Sequence, residues 1–443
     1  MNIKLSDHFT YRKLLRFTLP SVVMMIFSSV YGVVDGFFVS NFVGKTAFAA
    51  VNFIMPFLMI LGSVGFMFGA GGSALVSKTL GEGDTQKAKR YFSLIVYTSF
   101  IVGAVIAALG IVFIRPIAGL LGAEGEMLED CVVYGRIILA ALPMFVLQME
   151  FQSFFITAER PNLGLAATVA AGVTNMVLDA LLVYVFPLGL VGAALATAIS
   201  QTIGGIIPLV YFFSRNKSHL RLTKTGYDGR ALLKVCTNGS SELMSNISMS
   251  VVSILYNFQL LKYEGEDGVA AYGVLMYVGF IFCSAFIGYS IGTAPVIGFD
   301  FGASNHSELK NILKKSMVII GICSLGMFAL SEGLSRPMSL LFVGYDEHLL
   351  ELTCRGFAIY SFSFLFCGFA IFASGFFTAL NDGLTSALIS FLRTMVIQIA
   401  AVIILPLIWG SDGIWYSLVV AEFMAVAVAA VFIIGKRKKY KYF

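Results

Sequence analysis

Apolar runs of about twenty residues or more, the length at which a helix crosses the hydrocarbon core of a bilayer, make up almost the whole chain. In lipid every backbone N–H and C=O must find its partner within the segment, so such runs fold as helices. Twelve of them can be drawn, over roughly 15–40, 47–78, 91–114, 131–158, 163–186, 190–213, 235–262, 268–300, 312–335, 353–380, 384–409 and 413–435. Charged residues are 12% of the chain, against roughly a quarter in soluble domains, which excludes a water-solvated globule. The first run follows Arg12, Lys13 and Arg16, is longer than a signal-peptide core and contains Asp35, so it reads as a retained first span. The six cysteines form no C-x-x-C pair and the four histidines fall near span ends or in loops, which leaves poor material for a metal centre or a His-based catalytic triad.

An even number of spans puts both termini on one side, and Lys and Arg decide which side that is. Of the 30 Lys and Arg, 23 lie at the termini or in loops on the terminal side, 6 on the opposite side, and Arg393 lies within a span. The expectation is a multi-pass protein of a bacterial-type cytoplasmic (inner) membrane with both termini cytoplasmic. The basic tail at 436–441 reads as an anchor on anionic membrane lipid rather than a nucleic-acid contact.

The chain also matches itself without gaps at an offset of 221 residues. Ala49-Ala50 meets Ala270-Ala271, Gly81 meets Gly302, Arg115-Pro116 meets Arg336-Pro337, Thr157-Ala158 meets Thr378-Ala379, and Gly189 and Gly192 meet Gly410 and Gly413. Six spans per copy is an even number, so the copies share one orientation, and parallel repeats about an axis along the membrane normal are a transporter architecture. The expected fold is all-α, with twelve transmembrane helices in two six-helix bundles. The expected division is an N-terminal lobe 1–214, a basic cytoplasmic linker 215–234 and a C-terminal lobe 235–443.

Ionisable groups inside spans are costly and point to function. Asp35, Glu150, Asp179, Glu242, Arg393 and Glu422 qualify. At about 1.5 Å per residue, Asp35, Asp179, Asn175 one turn below it, and Thr197 fall at similar depth in the outer half of the first copy. They offer two carboxylates, an amide carbonyl and a hydroxyl, oxygens of the kind hard cations take; a desolvated carboxylate can also hold a proton. The second copy lacks the set: at +221 the four positions are Tyr256, Val396, Ala400 and Leu418. As interhelical glue, Asn175 and Thr197 have an ordinary structural reading as well. Arg393 and Glu422, near the middle of spans eleven and twelve, read as a structural salt bridge. Glu242 either lines a cavity or reaches interfacial water. Val43-Gly44-Lys45-Thr46 resembles the end of a phosphate loop, but Val39 stands where the motif needs Gly, so no nucleotide site follows.

The whole pattern resembles the multidrug and toxic compound extrusion (MATE) family. The residues that carry the resemblance are Pro20 with Val34-Asp35, Leu80-Gly81-Glu82-Gly83-Asp84, Asn175-x-x-x-Asp179, Gly189-Leu190-Val191-Gly192-Ala193-Ala194 leading to Thr197 and Gln201, Glu242, and Ser290-Ile291-Gly292 before Gly302-Ala303. The resemblance implies efflux of small organic cations or drugs by antiport against H⁺ or Na⁺, with alternating access and no cofactor. It implies a cation-coupling site at Asp35, Asn175, Asp179 and Thr197, which could hold Na⁺, and the expected substrate cavity takes in Glu242, Tyr256, Gln201 and Gln152. Family members with an acid in span seven also carry an Asp in span ten, whereas residues 353–380 here contain no Asp or Glu. The expectation is a monomer that is not an enzyme. The alternative is a flippase of lipid-linked precursors with the same two-lobe architecture, which would want basic residues in its cavity to hold phosphates.

Overall fold

The computed structural model describes residues 3–216, 218–344 and 346–443, and among them every regular element is helical. The first half holds α1 (Tyr11–Phe38), α2 (Lys45–Gly81), α3 (Thr85–Leu121), α4 (Gly125–Thr157), α5 (Pro161–Asp179) and α6 (Gly189–Phe213). The second holds α7 (Gly229–Gly302), α8 (His306–Val343), α9 (Glu347–Ser361), α10 (Phe364–Ala379), α11 (Gly383–Phe391), α12 (Gln398–Trp409) and α13 (Ser411–Tyr440). Three π-helical segments continue α1, α5 and α11: Val39–Val43, Ala180–Val185 and Leu392–Ile397. Short polar side chains start many of the helices; Thr10, Asp84, Asp228, Asn305 and Asp346 each accept a first-turn N–H.

Among the described residues ten helices are long and apolar enough to cross a membrane, and α9 with α10, bent by 49°, makes an eleventh when the pair is taken as one span. The twelfth is the N-terminal part of α7, which Asn238, Ser240, Ser241, Glu242 and Asn246 make more polar than its neighbours. α7 is continuous in hydrogen bonding but breaks at Gly265, whose φ of 66° is left-handed. The repeat explains the break. Gly44, between α1 and α2, also has positive φ and lies 221 residues earlier; Gly83 and Ser304, and Gly189 and Gly410, repeat the same conformation at the same offset. Two corrections to the expected spans follow. Several helices overrun their apolar stretch, α3 and α8 most of all, because helices extend beyond the lipid core. Span ten is broken, because the backbone around Phe362 and Ser363 leaves the helix axis before α10 begins.

The halves meet through α2 and α7 at a contact that is itself two-fold. A Cβ on Gly81 would lie 2.0 Å from the Phe299 carbonyl oxygen, and one on Gly302 would lie 2.0 Å from that of Lys78. These are one contact seen from each copy, since Phe299 and Lys78 are also 221 apart. Gly71 faces Val235 and Gly239 with backbone against backbone, and the equivalent Gly292 meets Thr18. Only glycine permits helix axes this close.

The same face carries the termini. Phe9 N–H donates to Glu308 at 2.9 Å, and Asn311 and Lys315 donate to the Phe9 carbonyl. Leu5 N–H reaches Glu159 of the first half at 2.7 Å. Asn381 donates to the Ala74 carbonyl at 2.9 Å while its own Oδ1 accepts from Asn238 at 2.7 Å. The halves are therefore sealed together on the terminal face.

Candidate functional site

Asp35 lies one turn before the π-helical segment that extends α1, and Asp179 is the last residue of α5 before its own. A π turn carries an extra residue and re-aims the side chains around it, which is why such segments gather at functional positions. The two segments touch, with Phe42 and Tyr184 packed edge to face at 5.2 Å.

The structure brings all four predicted residues together. Asn175 Nδ2 donates to Thr197 Oγ1 at 3.5 Å, and Thr197 Oγ1 donates to Asp35 Oδ1 at 3.4 Å. Asp35 and Asp179 lie within hydrogen-bonding reach of each other. Asn175 and Asp179 are buried, whereas Asp35 and Thr197 are half-buried. The bonds that are made are long ones, and Asn175 Oδ1 and both Asp179 oxygens take no donor among the described residues. Buried oxygens left this way are costly. Two facing carboxylates need a proton or a cation between them, and a hard cation would find the oxygens it requires.

Tyr134 of α4 belongs to the same cluster. It is fully buried, its hydroxyl has no partner among the described residues, and it lies close enough to feel both carboxylates and Thr197. Sequence reasoning missed it, because a tyrosine in an apolar span carries no mark of its own.

The other predicted residues divide between the halves. Gln152 sits inside the first half beside Gln148, in a small void between α4, α5 and α6, and its Nε2 has no partner among the described residues. Gln201 lies on α6 one turn beyond Thr197, with its Oε1 buried and also without a donor. Glu242 and Tyr256 line a separate cavity within the second half, about 1370 Å³ counted to its open mouth. Tyr256, the counterpart of Asp35, bonds Ser417 at 2.6 Å and stacks on Tyr272 at 5.0 Å, so the second half fills with an aromatic pair the place where the first keeps a carboxylate. Arg393 and Glu422 do pair, Nε to Oε2 at 2.9 Å and Nη2 to Oε1 at 2.8 Å, and the pair lies in the wall of this same cavity. Glu150 is fully buried against Ser99, away from both sites.

A duplicated twelve-span helical membrane protein, with a carboxylate cluster in one half and an aromatic cavity in the other, has the architecture of a membrane transporter. Comparison with known proteins narrows the class. The sequence profile of the MatE family matches twice, over residues 20–181 and 243–404, and the chain belongs to that family. The multidrug export protein MepA of Staphylococcus saprophyticus is 26% identical over 436 residues, covering 96% of this chain and 93% of MepA. MepA of Staphylococcus haemolyticus is 25% identical over 431 residues, covering 97% and 94%. A solved structure described as the outward-facing conformation of a multidrug resistance MATE family transporter superposes with a TM-score of 0.93 over 98% of each chain at 22% identity, a likeness of fold. The relatives are exporters, and this chain is a transporter and not an enzyme.

Proposed function

We propose that the protein exports small organic compounds, often cationic, across the cytoplasmic membrane in exchange for inward H⁺ or Na⁺. It works as a monomer with both termini in the cytoplasm, and its lobes 1–214 and 235–443 rock about the linker 215–234. The observation that carries this reading is the oxygen cluster of the first lobe, in which Asp179 lies beside Asp35 and neither of its oxygens has a donor among the described residues.

The chemistry follows from charge. With the terminal face sealed, the coupling ion enters from the outer side, where Asp35 and Thr197 remain partly accessible. A proton or Na⁺ between Asp35 and Asp179 cancels their repulsion and lowers the cost of burying them. With one of its two negative charges offset, the cluster favours closure of the outer side and opening of the cytoplasmic side, where the ion leaves and a drug enters. Reloading of the ion from outside then accompanies drug release. Each ligand acts through its different affinity for the two states. The flippase alternative needs free basic groups in its cavity, and Arg393 is already held by Glu422.

Asp179→Asn removes one carboxylate with little change in volume. Drug efflux should be lost, with unchanged protein in the membrane; full efflux by this variant would contradict the assignment.

A further inference from the structure

Three charged side chains line the cavity of the second half among the described residues: Glu242, Arg393 and Glu422. Arg393 lies in the π-helical segment Leu392–Ile397, the third such segment of the chain and, like the other two, beside an intramembrane charge. Its Nε donates to both Glu422 oxygens and its Nη2 to one of them, a bidentate arrangement that fixes the guanidinium plane. Glu422 is 7% exposed and Arg393 17%, so the pair is set into the wall. Glu242 is half-buried, and its carboxylate accepts no hydrogen bond from the described residues, although Arg393 is near enough to act on it through charge. One arginine thus shares the cavity with two acids and is hydrogen-bonded to one of them.

We propose that Glu422 sets the charge selectivity of this cavity: by holding Arg393, it leaves Glu242 bare to receive a monovalent aromatic cation. With all three groups ionised the cavity carries one net negative charge. Its wall of Tyr256, Tyr272, Phe280, Tyr360 and Trp415 offers faces on which a flat cation can lie. Were Glu422 neutral, Arg393 would be an uncompensated charge in a low-dielectric wall, and the acid left to pair with it is Glu242. The cavity would then be neutral, with its cation anchor occupied. Were Arg393 neutral instead, two acids would remain and cations would be held more tightly. Glu422 is therefore a positioning residue that acts through Arg393. The inference rests on the reading of the protein as an exporter of cations.

The test is ethidium binding to the purified full-length protein in detergent, read by fluorescence anisotropy, with size-exclusion profiles to establish that each variant is folded. Glu422→Gln should weaken binding about ten-fold or more, while Arg393→Gln should tighten it. The double variant R393Q/E422Q, which restores one net negative charge, should return to within about three-fold of the native protein. A purely structural salt bridge predicts instead that both single variants lose binding together. Shifts of the same sign in the two single variants would overturn the proposal. So would an equal loss from E422Q in a Glu242→Gln background, because the effect must run through Glu242. Ethidium bound normally by the native protein but not exported from cells would contradict the export reading and leave this assignment standing; failure of the native protein to bind ethidium would overturn the assignment.

Discussion

Ionisable side chains are so rare inside spans that Asp35 and Asp179 stand out in the sequence, and helical spacing and depth bring in Asn175 and Thr197. Tyr134 could not be read the same way: its type is common in membrane helices, and only the packing of α4 against α5 and α6 brings it near the carboxylates. That hydroxyl is buried and has no partner among the described residues, so it is available to the coupling ion or to the carboxylate that carries it. Tyr134→Phe should fold normally and raise the half-saturating concentration of the coupling ion about ten-fold, the worth of one hydrogen bond to a charged group; drug exchange measured across a Na⁺ and a pH series reads this directly. The pairing of Arg393 with Glu422 was legible from their equal depth. That Glu242 shares their cavity was not, because α7 is broken at Gly265 and the depth of its first part cannot be counted from one helix end.

At the level of helices, the apolar runs locate the spans but not their ends, since nothing in hydropathy stops a helix at the lipid boundary. The close passages of α2 and α7 were legible only as glycines repeating at 221. Their geometry makes Gly302→Val a specific probe. The added side chain meets the Lys78 carbonyl at 2.0 Å from its first carbon, so the seal on the terminal face must open. A cysteine placed at Ser77 should then react with a membrane-impermeant thiol reagent at least several-fold faster in everted vesicles than it does with Gly302 intact; an unchanged rate would show that the seal lies elsewhere. The last helix is fastened at the same face. Asp382, between α10 and α11, accepts from Lys436 at 2.7 Å and from Tyr440 at 2.8 Å. Burial pushes its carboxyl up, but these bonds and that of Thr385 outweigh it and hold it down to about 2. An unfolded Asp titrates near about 4. The lowered value therefore contributes stability that is fully present above about pH 4 and is lost as pH falls through about 2. Asp382→Asn should lower the thermal midpoint at pH 7, and the gap between variant and native protein should close across that acid window.

For the whole molecule, the repeat by itself implies the architecture: two copies, one orientation, one axis. The backbone repeats its left-handed residues, as at Gly44 and Gly265, but departs from the repeat where α9 and α10 break the span that α4 runs through unbroken, and the side chains depart further. The first half holds Asp35 beside an Asp179 that has no donor among the described residues, where the second holds a Tyr256–Ser417 bond, and the cavity with Glu242 lies in the second half. The account's central claim is that ion coupling belongs to the first half. The most direct measurement is ethidium transport in proteoliposomes under an imposed Na⁺ or pH gradient, with the native protein and Asp179→Asn compared side by side. The native protein should accumulate ethidium against its own gradient. Asp179→Asn should still exchange ethidium for ethidium at equal concentrations but fail to accumulate it when the ion gradient is applied. Gradient-driven accumulation by Asp179→Asn at the native rate would contradict the claim.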